Sequence, residues 1–476
     1  MPQVPILSGI VTDAVGDFRT SYPRNMIPVP LAQGISEGYL RPADGLVQFA
    51  TGLGNDRGGI RWNDQCYRVS GRRLVRVDSA GAVFDIGDVG EGDAVSMDYS
   101  FDRLAIASGG HLYYLKAGVL TQVTDPDLGT VLDVMWEAGY FITTDGTSII
   151  TTDLNDPTSV NPLHYGSSEG DPDRVMALSK INREVFALNR FTIEAFENVG
   201  GTGFPFQRID SATVSRGILG RKTFTRMGDT FFFLGGGRTS HGVEPPSVWV
   251  MTPGSSQSVA TREIDTLLRG YTEAQLAASF MESRVEKGHS AILLHLPDQC
   301  LVYDVGASKA AGQPVWYTLD SGLLELSRYR ARGLVWCYDR WIAGDPDSSA
   351  ICTLDQTTME HFGAVIGWEF GTSVIYAGGD EGIVAEMELV GLPGRVSFGK
   401  DPVIWTSHSH DGQTWSQEHA INCGKQGERQ KRMMWRPKNK IRHYRMQKFR
   451  GTSDARVSFA ALRMEIEPLS TRPLRG

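Results

Sequence analysis

Between Arg429 and Arg450 the sequence reads RQKRMMWRPKNKIRHYRMQKFR, with ten Lys or Arg and no Asp or Glu. Such a run can neutralise phosphates, and Trp435, His443, Tyr444 and Phe449 are interleaved as rings on which bases could stack. The same charges would also serve contact with an acidic neighbouring subunit, or stand as a solvated strand face. Read as a strand, KIRHYRMQKFR puts Ile441, His443, Arg445, Gln447 and Phe449 on one side. Arg442, Tyr444, Met446, Lys448 and Arg450 then fall on the other, because side chains alternate along a strand. Neither side is purely basic, so composition leaves all three roles open. The residues that would carry an assembly or DNA-proximal contact are Arg432, Arg436, Lys438, Lys440, Arg442, Arg445 and Lys448.

Other chemistry-bearing patterns are weaker. His408 and His410 are two apart and would share a strand face, but no carboxylate or Cys at suitable spacing completes a metal set. SHDGQTW (Ser409 to Trp415) resembles the Asp-box hairpin of sialidases, one residue short, and such boxes are structural turns. LGGGRTSHG (Leu234 to Gly242) is glycine-rich, yet a phosphate loop needs a helix directly after the glycines. Here VEPPSVWV follows, which reads as strand. No GxSxG, HExxH or paired-carboxylate motif with supporting context is present. The five cysteines share no CxxC spacing and read as buried thiols of a reducing compartment. Neither a cofactor nor a metal is expected, and no catalytic residues are assigned.

The elements that must position these residues are short strands. The chain has 476 residues, 54 of them glycine, with 41% hydrophobic and 21% charged residues and a formal net charge of −8. Scattered glycine among short apolar runs suits a turn-rich all-β protein. One hairpin pattern recurs from about residue 60 to 355, as in DRLAIASGGHLYYLKAGVLTQV and GYFITTDGTSIITTDL. The spacing fits blades of a β-propeller, six or seven in number, with a pair of β-sandwiches as the competing architecture. Asp145-Gly146 and Gly109-Gly110 suit two-residue primed turns, and Pro297-Asp298 starts a longer loop. A helical insertion is predicted near 261–283, with Ile264, Leu267 and Leu268 on one face and a capping box at Thr272/Gln275. Three parts are expected. An N-terminal arm, 1–55, lies on the C-terminal domain or a neighbour; the propeller is 56–360; a separate β-sandwich-like domain, 361–476, carries the basic segment. MPQVPILSGIVTDAVGDF lacks the marks of a secretory leader, and no apolar run approaches membrane-spanning length, so a soluble protein is expected.

Several segments in order carry a resemblance: GYLRPADGL (Gly38 to Leu46), IDTLLRGYTEAQLAASFMES (Ile264 to Ser283), LLHLPDQCLVYDV (Leu293 to Val305) and GQPVWYTL (Gly312 to Leu319). WRPKNKIRHYRMQKFRG (Trp435 to Gly451) follows near the C-terminus. Together they resemble the packaged-DNA stabilization proteins, or tail accessory factors (tail hub or nozzle proteins), of short-tailed double-stranded DNA bacteriophages. The resemblance implies a structural virion protein of the phage tail, made and assembled in the host cytoplasm. It implies a hexameric homo-oligomer, a ring below the portal-adaptor protein that extends and closes the DNA exit channel, retains packaged DNA and docks a needle, spike or fibre protein. No membrane insertion is implied. The alternative is a propeller-based receptor-binding or glycan-processing, sialidase-like tail protein. In a ring through which double-stranded DNA must leave fast, a strongly basic lumen would act as a brake. An inter-subunit or adaptor-facing role for the basic run is therefore preferred.

Overall fold

The computed structural model describes residues 3–469 except 14, 15, 32–35, 155, 169, 202, 253, 377–380 and 442. Seven antiparallel sheets follow one another as blades 1 to 7, spanning 56–88, 96–122, 133–167, 175–208, 217–258, 280–319 and 332–355. Six and seven blades were both compatible with the sequence; among the described residues the blade sheets number seven. Each blade buries both faces because alternate side chains serve different neighbours. In blade 2, Leu104 and Ile106 pack towards Val69 and Leu74 of blade 1. Ala105 and Tyr114 pack the other way, towards Phe141 and Ile150 of blade 3. All five cysteines are buried free thiols, and burial pushes Cys66 up to about 11 and Cys352 up to about 12.

Blade 7 takes its fourth strand from the other end of the propeller. Gly45–Thr51 runs antiparallel to Ala350–Asp355, with Val47 opposite Thr353. These residues, read from sequence as part of the arm, thus complete a blade. A buried ion pair reinforces the junction of blades 1 and 7. Arg68 donates to both carboxylate oxygens of Asp56 (2.7 and 2.8 Å) and to the carbonyl oxygens of Gly333 and Arg332 (2.9 and 3.2 Å). Burial alone would lower the affinity of this guanidinium for its proton, but Asp56 outweighs it and holds the pKa above the usual value.

The hairpins turn tightly even where sequence gives no turn signal. Gly109 and Gly110 both have positive φ between the paired residues Ser108 and His111, as expected. Asn182-Arg183 and Tyr338-Asp339 adopt the same left-handed pair without any glycine. The twist of the flanking strands selects this turn, and the blade context supplies what the residues lack. Asp145-Gly146 differs from expectation. Thr144 lies opposite Ile149, so the loop has four residues, held by Asp145 Oδ1 accepting from the N–H groups of Thr147 (2.8 Å) and Ser148 (2.7 Å).

The helical insertion consists of Arg262–Leu268 and Glu273–Ala277, capped by Thr261 and by the Thr272/Gln275 box. Ile264, Leu268 and Leu276 are buried against blades 5 and 6. The helical stretch is shorter than predicted, because Phe280–Glu286 is the first strand of blade 6. A helix absent from the sequence reading, Val305–Ala311, connects two strands of blade 6, with Asp304 Oδ1 accepting from the N–H of Ala307.

The C-terminal part is two packed sheets. One contains Gly382–Leu392 and Ser458–Pro468, with Met433–Trp435 and Asn439–Ile441 at its edge. Its far side is completed from the N-terminus by Gln3–Val4, Met26–Pro30 and Gly38–Pro42. The other sheet contains Trp368–Gly371, Tyr444–Gly451, Val403–Ser409 and His419–Asn422. Met26, Leu40, Phe370, Met387, Phe449 and Phe459 fill the space between. Between the two bodies runs the segment around Arg24, whose backbone bridges Thr318 of blade 6 and Glu369 of the sandwich.

Candidate assembly interface

The basic run does not form one strand. Asn439–Ile441 pairs with Gly382–Val384 in the first sheet, whereas Tyr444–Gly451 lies in the second, so the chain changes sheets in between. The alternation expected across KIRHYRMQKFR therefore does not run unbroken from Ile441 to Tyr444. Arg445, Met446, Gln447 and Phe449 are all buried. A strand inside a sandwich has one face on the core, and Arg445, Gln447 and Phe449 share it; on the other face Met446 is covered by the loop at Gly412.

Most of the surface cations of the run already have acidic partners within the chain. Arg432 makes a two-pronged contact with Glu388 (2.8 Å to each oxygen), and Arg436 reaches Glu386 at 3.3 Å. Both glutamates project from the adjacent strand Gly382–Leu392. Lys440 pairs with Glu381, Lys448 with Glu369 at 3.5 Å, and Arg450 with Glu418. Lys448 and Arg450 also sit over the rings of Trp415 and Trp405. Lys438 is exposed at a left-handed turn. Arg442 lies outside the described residues. The run is therefore a charge-compensated edge rather than a bare positive stripe, and such exposed pairs contribute only about 0–1 kcal/mol each.

Arg445 departs most from the sequence reading. It is 1% exposed, so it offers no charge to a partner at the surface. Its Nε and Nη2 both donate to Gln447 Oε1 (2.9 and 2.8 Å), and Gln447 Nε2 in turn donates to Thr406 Oγ1. Burial pushes its pKa down to about 10. Half-buried His408 is pushed down to about 4, first by burial and then by the charge of Arg445 and the neighbouring imidazoles.

The remaining motifs resolve into structure. His408 and His410 stack edge to face, 5.3 Å apart, and no metal-holding cluster occurs among the described residues. Asp411 spends its carboxylate on its own loop, accepting from the N–H groups of Gln413 (2.9 Å) and Thr414 (2.7 Å) and from Ser409 Oγ (2.8 Å). Those bonds hold it below the usual carboxylate range. The loop tip rests on the N-terminal hairpin Gly9–Thr12/Phe18–Ser21, where Thr12 Oγ1 donates to the Asp411 carbonyl. LGGGRTSHG forms a hairpin, with Thr239 opposite Gly242. Among the described residues no helix is long and apolar enough to cross a membrane.

Two family models match in register with these two bodies. "Bacteriophage P22 Gp10, beta-propeller" covers residues 2–359, and "Bacteriophage P22 Gp10, beta-sandwich" covers 367–467. The chain belongs to the bacteriophage P22 Gp10 family. Among its Gp10 relatives is the tail hub protein gp10 of Salmonella phage P22, 26% identical over 98% of this chain and 99% of that one. Solved structures similar to this Gp10-family chain include the Neurospora crassa Pan2 WD40 domain (TM-score 0.43, 8% identity, 66% of this chain, 95% of that one). Another is the N-terminal domain of Nup159 (TM-score 0.41, 10% identity, 68% and 98%).

Proposed function

We propose that this Gp10-family chain is a structural protein of a phage tail hub. Copies assemble as a ring of six beneath the portal-adaptor, lengthen and close the DNA exit channel, retain the packaged genome and present a surface to a needle, spike or fibre protein. The observation that carries the reading is the co-linear match to a tail hub protein through propeller and sandwich alike. The mechanics agree. A propeller closed by its own N-terminal strand and tied to a sandwich by the same segment is a rigid wedge, which suits the repeated heterologous contact of a ring. The glycan-processing alternative gains nothing from Asp411, because its Oδ1 is engaged in holding the turn.

Within this reading the edge carrying Arg432, Arg436, Lys438 and Lys440, together with Lys448 on the second sheet, contacts a neighbouring subunit or the adaptor. Charges paired with Glu386 and Glu388 grip free phosphates poorly, which favours a protein partner over DNA. Mass photometry of the purified chain with the adaptor ring is expected to show six copies recruited per ring; persistent monomers would overturn the proposal. Arg436→Glu with Lys438→Glu is expected to cut recruitment while leaving the melting temperature within a few degrees. Unchanged recruitment by that variant would remove the edge from the interface and leave the hub assignment standing.

A further inference from the structure

Arg445 poses a problem that the hub role does not solve. A guanidinium taken out of water normally has a carboxylate or another anion beside it, because an uncompensated buried charge is strongly unfavourable. Among the described residues no Asp or Glu reaches it; its side-chain partner is the neutral Gln447. Its Nη1 is buried with no hydrogen-bond partner at all. Arg445 lines a cavity of about 230 Å³ inside the sandwich, large enough for a polyatomic ion.

Met387, Ile421, Met434 and Trp435 form an apolar part of the wall, and its polar part suits one class of occupant. The imidazoles of His408 and His419 line the cavity, His419 and Arg436 being exposed at its mouth. Thr406 and Gln447 are committed to each other and to Arg445, so they fix the guanidinium in place. Asn439 adds a second unsatisfied group to the same wall, because its buried Oδ1 has no partner. A cavity with a locked guanidinium, two imidazoles and one spare acceptor matches a tetrahedral oxyanion that carries a proton of its own. We propose that this cavity binds hydrogen phosphate, with Nη1 of Arg445 and the imidazoles donating to its oxygens and Asn439 Oδ1 accepting from its P–OH. The occupant supplies the countercharge that the chain lacks. Sulfate has no such proton at neutral pH and leaves Asn439 unpaired, which costs affinity.

Thermal melting of the full chain in phosphate, sulfate and chloride at matched ionic strength tests this. Phosphate is expected to raise the melting temperature in a saturable way, sulfate less, and chloride not at all. Arg445→Met, which replaces the guanidinium with an apolar side chain, is expected to abolish the phosphate shift. His419→Ala, at the exposed mouth, is expected to weaken phosphate binding by about tenfold, read by ³¹P line broadening on folded protein. That second variant keeps the test decisive if the first does not fold. Equal shifts in phosphate and chloride would overturn the proposal, as would a full phosphate shift in folded Arg445→Met or unchanged ³¹P broadening in His419→Ala. Equal shifts in sulfate and phosphate would overturn the assignment to a protonated oxyanion. A single-stranded oligonucleotide at the same phosphate concentration is expected to behave as chloride does. Stabilisation matching that of free phosphate would move the site to nucleic acid and overturn the free-ion assignment.

Discussion

Single side chains decide two properties that bulk composition hides. The first is the Arg68–Asp56 pair, buried where the last blade meets the first. Arg68→Met strands the Asp56 carboxylate and releases the carbonyl oxygens of Gly333 and Arg332. A loss of about 3–5 kcal/mol in urea denaturation is expected, typical of breaking one side of a buried pair. The second is His361, 2% exposed, whose pKa burial pushes down to about 3 while its Nδ1 meets Ser321 Oγ at 2.8 Å. The unfolded imidazole takes up a proton near its ordinary value of about 6.5 and the folded one only near 3, so the unfolded state binds more protons in between. Stability therefore falls as pH drops below about 6.5, by roughly 2 kcal/mol at pH 5 from this group. Chemical denaturation from pH 7 to 5 is expected to show that slope, and His361→Gln to flatten it. Neither property was legible in the sequence, since both depend on which distant groups meet. The same holds for Arg445: strand alternation put it on one face with Phe449, but nothing local says that a second sheet covers that face.

At the level of elements, the sequence carried the hairpins, the helical pair and its Thr272/Gln275 cap, because each depends on local chemistry. Thr272→Ala removes the bond to the Gln275 N–H and is expected to cost about 1 kcal/mol in stability. What local chemistry cannot encode is partnership across the chain. Gly45–Thr51 reads as part of an arm, yet its partner lies about 300 residues on. Tyr444–Gly451 and Ser458–Pro468 follow one another closely in the chain, yet they enter different sheets and do not pair with each other. The closing strand of blade 7 can be tested by a covalent link, because Val47 and Thr353 stand directly opposite each other there. Val47→Cys with Thr353→Cys is expected to form a disulfide and to raise stability by about 2–4 kcal/mol under oxidising conditions. Non-reducing electrophoresis and melting with and without reductant read both effects. A paired cysteine without added stability would mean that the blade 7 closure is not where unfolding begins.

For the whole molecule, the propeller and sandwich were legible as two textures of sequence, and the resemblance of the 264–319 block pointed to the phage family. The N-terminal segment was expected to lie on the C-terminal domain or a neighbour, but that it supplies strands to both bodies was not legible, since they carry no mark of the sheet they enter. Deleting residues 1–51 is expected to remove the fourth strand of blade 7 and three strands of the sandwich sheet together. Calorimetry should then show both bodies destabilised, by ten degrees or more in order of magnitude; a normal sandwich transition would contradict the shared-strand architecture. That architecture also sets an order of events on the ribosome. Gly45–Thr51 emerges early, but its partner Ala350–Asp355 is made roughly 300 residues later, about 15–60 s at ordinary bacterial elongation rates. Gln3–Val4 waits longer still, for Ser458–Pro468. Each of these strands is thus made long before its partner, and its edge stays unpaired in the nascent chain until that partner emerges.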